Sequence, residues 1–409
     1  MNTPSKKSWA YLLAVVALCF LAFLYLLALR QSPPPPNQPA ATVPLAKTPA
    51  QREAPAFEPP AESTKEEVAR RTDNSTVTNA ADLYRQAFAL YAALTNDEKS
   101  ILGDWRTNVD ASVEAELCEK IRPICDLMHQ ASAVTNCDWG IGPITFDTRL
   151  QHFPASRKIA QAALWSAAHC RSNDVTGAAV DALSILRLGR SISQTLDMGC
   201  LADVMLQRLV SSFVAQNIGM FHGADAQRIA EAFQDPLYEE APSRAIEQEA
   251  ELSARYAAKL SVMPPDEAEK ETARLVIPIE GEAPGLDRDN VLAALKQIND
   301  SQRQLAKALA SSSEDEYTTW FHDWTELMHS NPLAPALLGA SDLFVEKVRG
   351  AKVGRALTVA GLAVAEGAPV TLYTDPSSGQ PFIYTKTADG FQLQSAYKFN
   401  GKPMTMQFK

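Results

Sequence analysis

Residues 137 to 221, from Cys137-Asp138-Trp139-Gly140 to Phe221, constrain this chain most. After a short irregular lead-in, apolar spacing, turn signals and charge placement agree there on three consecutive helices. Ser156 to Cys170 is alanine-rich and apolar on most sides, which implies close burial. Arg171-Ser172-Asn173-Asp174 forms a turn, and Asp174 caps a second helix through Val175, Ala179, Leu183 and Leu186 to about Ile192. A third runs from about Leu201 to Phe221. Short turns make neighbouring helices antiparallel, so the expected body is an irregular helical bundle. No fixed-period repeat is present, which argues against a solenoid.

Helical signals flank this centre. Asn79 is a suitable cap for a helix to Leu94, with Leu83, Ala87, Leu90 and Leu94 on one face. Thr95 starts a short helix to about Gly103. Val109 to Ile121 reads as another, and Pro123 as the first turn of the next, where Ile124, Leu127, Met128 and Ala131 form a stripe. Further helices are expected over Ala224–Phe233, Ser243–Leu260, Asp287–Ala310, Glu314–His329 and Ser341–Glu366. The acidic, proline-containing stretch from Val262 to Pro284 reads as a loop or insertion. Gly350, Gly354 and Gly361 thin the last helix.

The C-terminus changes period. Leu372-Tyr373, Phe382–Thr387, Phe391–Phe399 and Met404–Phe408 read as strands, with turn signals at Asp375–Pro381, Asp389-Gly390 and Asn400-Gly401. The expected fold class is therefore mainly α: a helical body over residues 79–366 and a small antiparallel β meander over 367–409 packed on it.

Tyr373-x-Asp375-Pro376-x-x-Gly379-x-Pro381-Phe382-x-Tyr384, with Gly390-Phe391-Gln392-Leu393-x-Ser395, is similar to the C-terminal hairpin of type II secretion pseudopilins. The chain lacks their processed N-terminal motif and their acidic tail. As a whole it resembles uncharacterised bacterial single-pass membrane proteins with a helical ectodomain, a Cys-Asp-Trp-Gly stretch and this turn. That resemblance implies an architecture and no chemistry.

The N-terminus supports the same organisation. No residue from Trp9 to Leu29 carries a charge, and a helix of that length spans about 31 Å, close to a bilayer's hydrocarbon thickness. The run is too long for a signal-peptide core, so it is expected to remain as a transmembrane anchor whose partner is the lipid bilayer. Lys6 and Lys7 favour a cytoplasmic position for residues 1–8, against a weaker opposing bias from Arg30. Residues 31–78 form a linker rich in proline, opened by Pro33-Pro34-Pro35-Pro36, which favours extended polyproline II. The expected location is the bacterial inner membrane with the C-terminal domain in the periplasm.

The chain carries 38 basic and 48 acidic residues, for a net charge of −10. With no basic block, that excludes a nucleic-acid partner bound through phosphates.

Chemistry-bearing patterns are sparse, and no cofactor is implied. Among the cysteines, Cys118 and Cys125 are the candidate disulfide, provided a break before Pro123 shortens the ~10.5 Å that a continuous helix would set between them. Cys170 and Cys200 are expected at opposite ends of a helix and so do not pair. His322, Glu326 and His329 share one face at i, i+4 and i+7, and Glu326-x-x-His329 has the spacing of di-iron ligands. They are the metal candidates. The aromatic stripe Tyr317, Trp320, Phe321 and Trp324 turns that face to solvent, and no second such helix exists. Asp138 and Trp139 read either as a ligand-facing patch or as a tryptophan packed beneath a loop. No Gly-x-Ser-x-Gly, His-Glu-x-x-His or Walker loop occurs. The expected function is non-catalytic binding or scaffolding in the envelope. The alternatives are a hydrolase whose site is assembled from distant residues, and an accessory part of a secretion or pilus-like assembly.

Overall fold

The computed structural model describes residues 79–141, 152–171, 174–193, 196–275, 287–311, 314–338 and 341–409. The expected anchor Trp9 to Leu29 and the linker 31–78 lie outside the described residues. The described part is mainly helical, with a three-stranded antiparallel sheet at its C-terminal end.

Helix α1 (Ala80–Ala93) starts where Asn79 accepts a hydrogen bond from the Ala81 amide. Helix α2 (Asn96–Leu102) starts at a capping box between Thr95 and Glu98. Helix α3 (Ala111–Ala133) corrects the expected break, because it runs straight through Pro123. Pro123 and Glu119, the residue whose carbonyl loses its helical donor, both lie on the exposed face where water can take over. The opposite face buries Leu117, Ile121, Ile124, Cys125 and Met128 and holds the helix together.

Helix α4 (His152–Trp165) ends in a π-turn over Ser166–Cys170. Helix α5 (Val175–Ile192) is capped by Asp174 as expected. Helix α6 (Leu196–Gln216) begins earlier than its apolar run suggests. By length and composition α6 could cross a membrane, yet most of it is buried within the fold, with Asp203, Gln207 and Ser211 among its buried residues. It is a core helix.

Helices α7 (Gly223–Phe233), α8 (Leu237–Ser261), α9 (Pro265–Leu275), α10 (Arg288–Ser311), α11 (Glu314–Ser330), α12 (Ala334–Leu338) and α13 (Ser341–Ala365) complete the body. Helix α9 corrects the loop reading for the first part of the expected loop or insertion after Val262, the rest of which lies outside the described residues. The main core joins α1 to α7 with α13 and the sheet. A second cluster, with Ala245, Ile246, Leu305, Trp320, Phe344 and Val345, joins α8, α10 and α11 to the start of α13.

Strands β1 (Ile383–Thr387), β2 (Gly390–Phe399) and β3 (Lys402–Phe408) pair in sequence order. Asn400 (φ 51°) and Gly401 (φ 74°) close the β2–β3 hairpin, the left-handed pair that a two-residue turn needs. Leu372-Tyr373 is not a strand; Val370–Leu372 form a 3-10 turn. The sheet lies on α13 because that helix is thinned where the strands cross it. A methyl group at Gly350 would sit 3.4 Å from the Phe399 ring, and one at Gly361 would overlap Phe408.

The disulfide expectation is also corrected. Cys118 bonds to Cys170, across 52 residues, at a Cα–Cα distance of 5.7 Å. Because α3 does not break, Cys125 stays two turns from Cys118 and faces inward as a buried free thiol, its pKa pushed up by burial. The π-turn after α4 packs against α3 and brings Cys170 within reach instead.

Candidate functional site

The C-terminal turn covers one side of a cleft between α8, α10, α11 and α13. Asp375 is the reason that turn holds its shape. Its buried carboxylate accepts hydrogen bonds from the Ser377 amide (3.0 Å), the Ala396 amide (2.8 Å) and the Ser395 hydroxyl (2.9 Å). Burial alone would raise its pKa, but these donors outweigh burial and hold the carboxyl below its usual range. Pro376 and Ser377 are thereby fixed over the cleft.

Helix α13 supplies the cleft's charge. Arg349, Lys352 and Arg355 recur at three-residue steps and all line it. Its walls are Tyr238, Pro242, Leu309, Tyr317 and Tyr397, and it encloses about 250 Å³. The Arg349 guanidinium lies 4.8 Å from the Tyr317 ring centre, a cation–π contact. A neighbouring hollow lined by Phe233, Tyr373 and Phe382 shares Glu239, Lys352, Arg355 and Pro376 with the first, so the two are continuous along α13.

Glu239 at the start of α8 is the one carboxylate among the described residues that line the cleft. It accepts from Lys352 Nζ at 2.7 Å and Arg355 Nη2 at 2.5 Å. Burial opposes its ionised form, but the Lys352 bond and the Arg355 charge outweigh burial and lower its pKa.

Below the cleft the network continues inward. Arg355 is only 8% exposed and also donates to Gln207 Oε1 at 3.0 Å. Asp203 lies one turn back from Gln207 on α6, close enough for the Gln207 side chain to favour its ionised form. Asp203 is fully buried, and burial pushes its pKa up to about 7 against the opposing pull of Gln207, Arg355 and Arg190. Its carboxyl packs against Gly189 of α5, where any side chain would overlap it. Arg190 pairs with Asp235. Arg190 and Arg355 both approach the Tyr238 ring, at 5.5 and 4.9 Å. Asp203 Oδ1, Tyr238 Oη and Arg190 Nε are buried with no hydrogen-bond partner among the described residues. Buried polar atoms left so are uncommon and mark a site able to take water or a small polar group.

The residues singled out from sequence lie elsewhere. Trp139 is 8% exposed and turned inward, stacked between Tyr84 at 5.9 Å and His152 at 4.5 Å, and its indole nitrogen donates to the Ser191 carbonyl. It is not ligand-facing. Asp138 is exposed, but its backbone bonds Asn79 in both directions and its carboxylate accepts from the Gly140 amide, so it shapes the turn. His322, Glu326 and His329 lie exposed along the outer face of α11. Among the described residues no three His, Cys, Asp or Glu side chains are grouped to hold a metal ion.

The cleft residues went unnoticed in the sequence, although a signal was present. Asp203 and Gln207 interrupt the apolar run of α6 at one-turn spacing, and buried polar residues in such a helix need partners. No family model, curated protein or solved structure matches this chain.

Proposed function

We propose that the protein is a non-catalytic, membrane-anchored binding protein of the cell envelope. Its cleft would take a small acid, or the acidic end of a larger molecule: a carboxylate, phosphate or sulfate on an apolar or ring-bearing body. The observation that carries this reading is the charge of the cleft. Three cations and one carboxylate line it, in a chain whose net charge is −10. A cleft of sign opposite to the protein as a whole concentrates ligands of the complementary sign. Tyrosine walls suit a flat or apolar body, and the volume is near the lower bound for small-molecule pockets. Among the described residues the lining carries no His or Cys, the side chains most often used as base or nucleophile.

Placement outside the cytoplasm rests on the uncharged stretch from Trp9 to Leu29 with Lys6 and Lys7 before it. The Cys118–Cys170 bond supports it, since such bonds persist in oxidising compartments.

Titration calorimetry of the full chain in detergent with benzenedisulfonate, a permanently charged aromatic anion, tests the cleft. Binding that weakens at least ~10-fold in the Arg349→Leu, Lys352→Met double variant is expected for contacts worth about 1.4 kcal/mol or more. Absent binding, or equal affinity in the variant, overturns the reading. Protease added outside spheroplasts should reach the region 79–409; full protection would overturn the topology.

A further inference from the structure

The cleft's floor contains a chain of polar groups whose geometry does more than hold Arg355 in place. Arg355 sits between two carboxyl groups. Glu239 contacts it directly from the cleft side, and Asp203 stands behind it in the core, one turn along α6 from the Gln207 that Arg355 bonds and close enough to feel the Arg355 charge. Only Glu239 is in contact with the cleft. Asp203 is buried beneath it, only 2% exposed, and is absent from the cleft's described lining.

Resting on the cleft reading above, we infer that Asp203 is a proton-operated positioning residue that sets the cleft's charge, so that anion binding is tight when Asp203 holds a proton and weak when it does not.

Neutral Asp203 leaves the Arg355 charge offset by Glu239 alone, and the cleft keeps its excess of cations. Loss of the Asp203 proton to solvent places a second carboxylate behind the same guanidinium, in a low-dielectric interior where its field is poorly screened. On the α5 side the carboxyl is held close, because Gly189 abuts it. Its Oδ1 has no partner among the described residues, an arrangement a neutral carboxyl tolerates far better than an ionised one.

The groups that face Asp203 come from each helix packed around it. Arg190 approaches from α5, Arg355 from α13 and Tyr238 from α8, while Cys200 lies on its own helix. Asp235 stands behind Arg190 and neutralises it. Helix α4 and strand β3 also contact α6, but contribute no group that shifts Asp203 among the described residues. Burial is the dominant influence, and it places the transition near neutral pH. The sign follows: anion affinity falls as pH rises from about 7, and over that range anion binding is accompanied by proton uptake, because the bound charge disfavours ionised Asp203 and raises its pKa further.

The test is titration of the full chain in detergent with benzenedisulfonate, whose own charge is constant, on either side of neutrality. Affinity should drop at least ~5-fold from about pH 6 to about pH 8.5, a coupling of ordinary size. Asp203→Asn, a neutral isostere, should bind at the higher pH as tightly as the wild type does at the lower, with the pH dependence gone. Near neutrality, the wild type titrated in two buffers of different ionisation enthalpy should show proton uptake, a readout that survives if the variant misfolds. Binding that is equal at both pH values with no proton uptake sinks the proton-operated role and leaves the cleft standing. Absence of binding at either pH sinks the cleft and this inference with it.

Discussion

Arg355 Nη2 of α13 lies 2.5 Å from Glu239 Oε1 of α8, joining residues 116 apart in sequence in the lining of the cleft. Lys352 holds the same carboxylate at 2.7 Å. Removing the guanidinium leaves Gln207 without its donor and brings Glu239 down to one cationic partner. Arg355→Met is expected to lower stability by about 1–2 kcal/mol, because Gln207 loses its donor in the interior while Glu239 is half exposed and solvent screens the charge left behind. Denaturant melts of wild type, Arg355→Met and the Arg355→Met, Glu239→Leu double variant check it. The double variant should recover part of the loss.

Asp203 makes stability fall with pH. Its folded pKa is raised to about 7 from 3.8, so the folded state holds a proton that the unfolded state has released between those values. Stability is greatest at the acidic end of that window, declines as pH rises through it and levels off above about 7. The shift corresponds to a difference on the order of 4 kcal/mol. Asp203→Asn should flatten this component. The difference between wild-type and variant denaturant midpoints, followed across the window, isolates it.

Asp375 has the opposite sign. Its folded pKa is held low by the amides and hydroxyls it accepts from. Its contribution is present above the ordinary aspartate range and is lost as pH falls through the depressed value. Asp375→Ala leaves the Ser395 hydroxyl and the Ala396 amide without an acceptor, and should cost about 3 kcal/mol. Hydrogen exchange should quicken across Tyr373–Pro381 while α1 and α3 are unaffected.

The covalent link is checked by non-reducing peptide mapping, which should recover Cys118 joined to Cys170 with Cys125, Cys137 and Cys200 free. Cys118→Ser with Cys170→Ser should lower stability by about 4 kcal/mol on the chain-entropy view of a 52-residue closure. A fragment linking Cys118 to Cys125 would contradict the pairing.

Gly361→Ala is a packing test. Alanine favours a helix by about 1 kcal/mol over glycine, so a gain is the outcome if nothing opposes it. Here the added methyl group meets the buried Phe408 ring, and a net loss of about 2 kcal/mol is expected. A rise in melting temperature would show that the sheet yields.

The sequence by itself determined the local choices. Asn79, Thr95 and Asp174 start helices because their side chains satisfy amides within the first turn, a matter of three or four residues. Asn400-Gly401 closes a hairpin because few other pairs accept two left-handed residues. The glycines of α13 reported a helix thinned for close approach, though not what approached.

Only the tertiary structure decided which distant groups meet. Whether α3 breaks at Pro123 depended on the face it buries, and that settled which cysteine Cys118 could reach. The polar pair Asp203 and Gln207 stood out of register in an apolar helix, but their partners come from α5, α8 and α13. Long-range electrostatic contacts leave no periodic trace in sequence, because each half of such a pair looks like an ordinary charged residue until the fold removes the water between them.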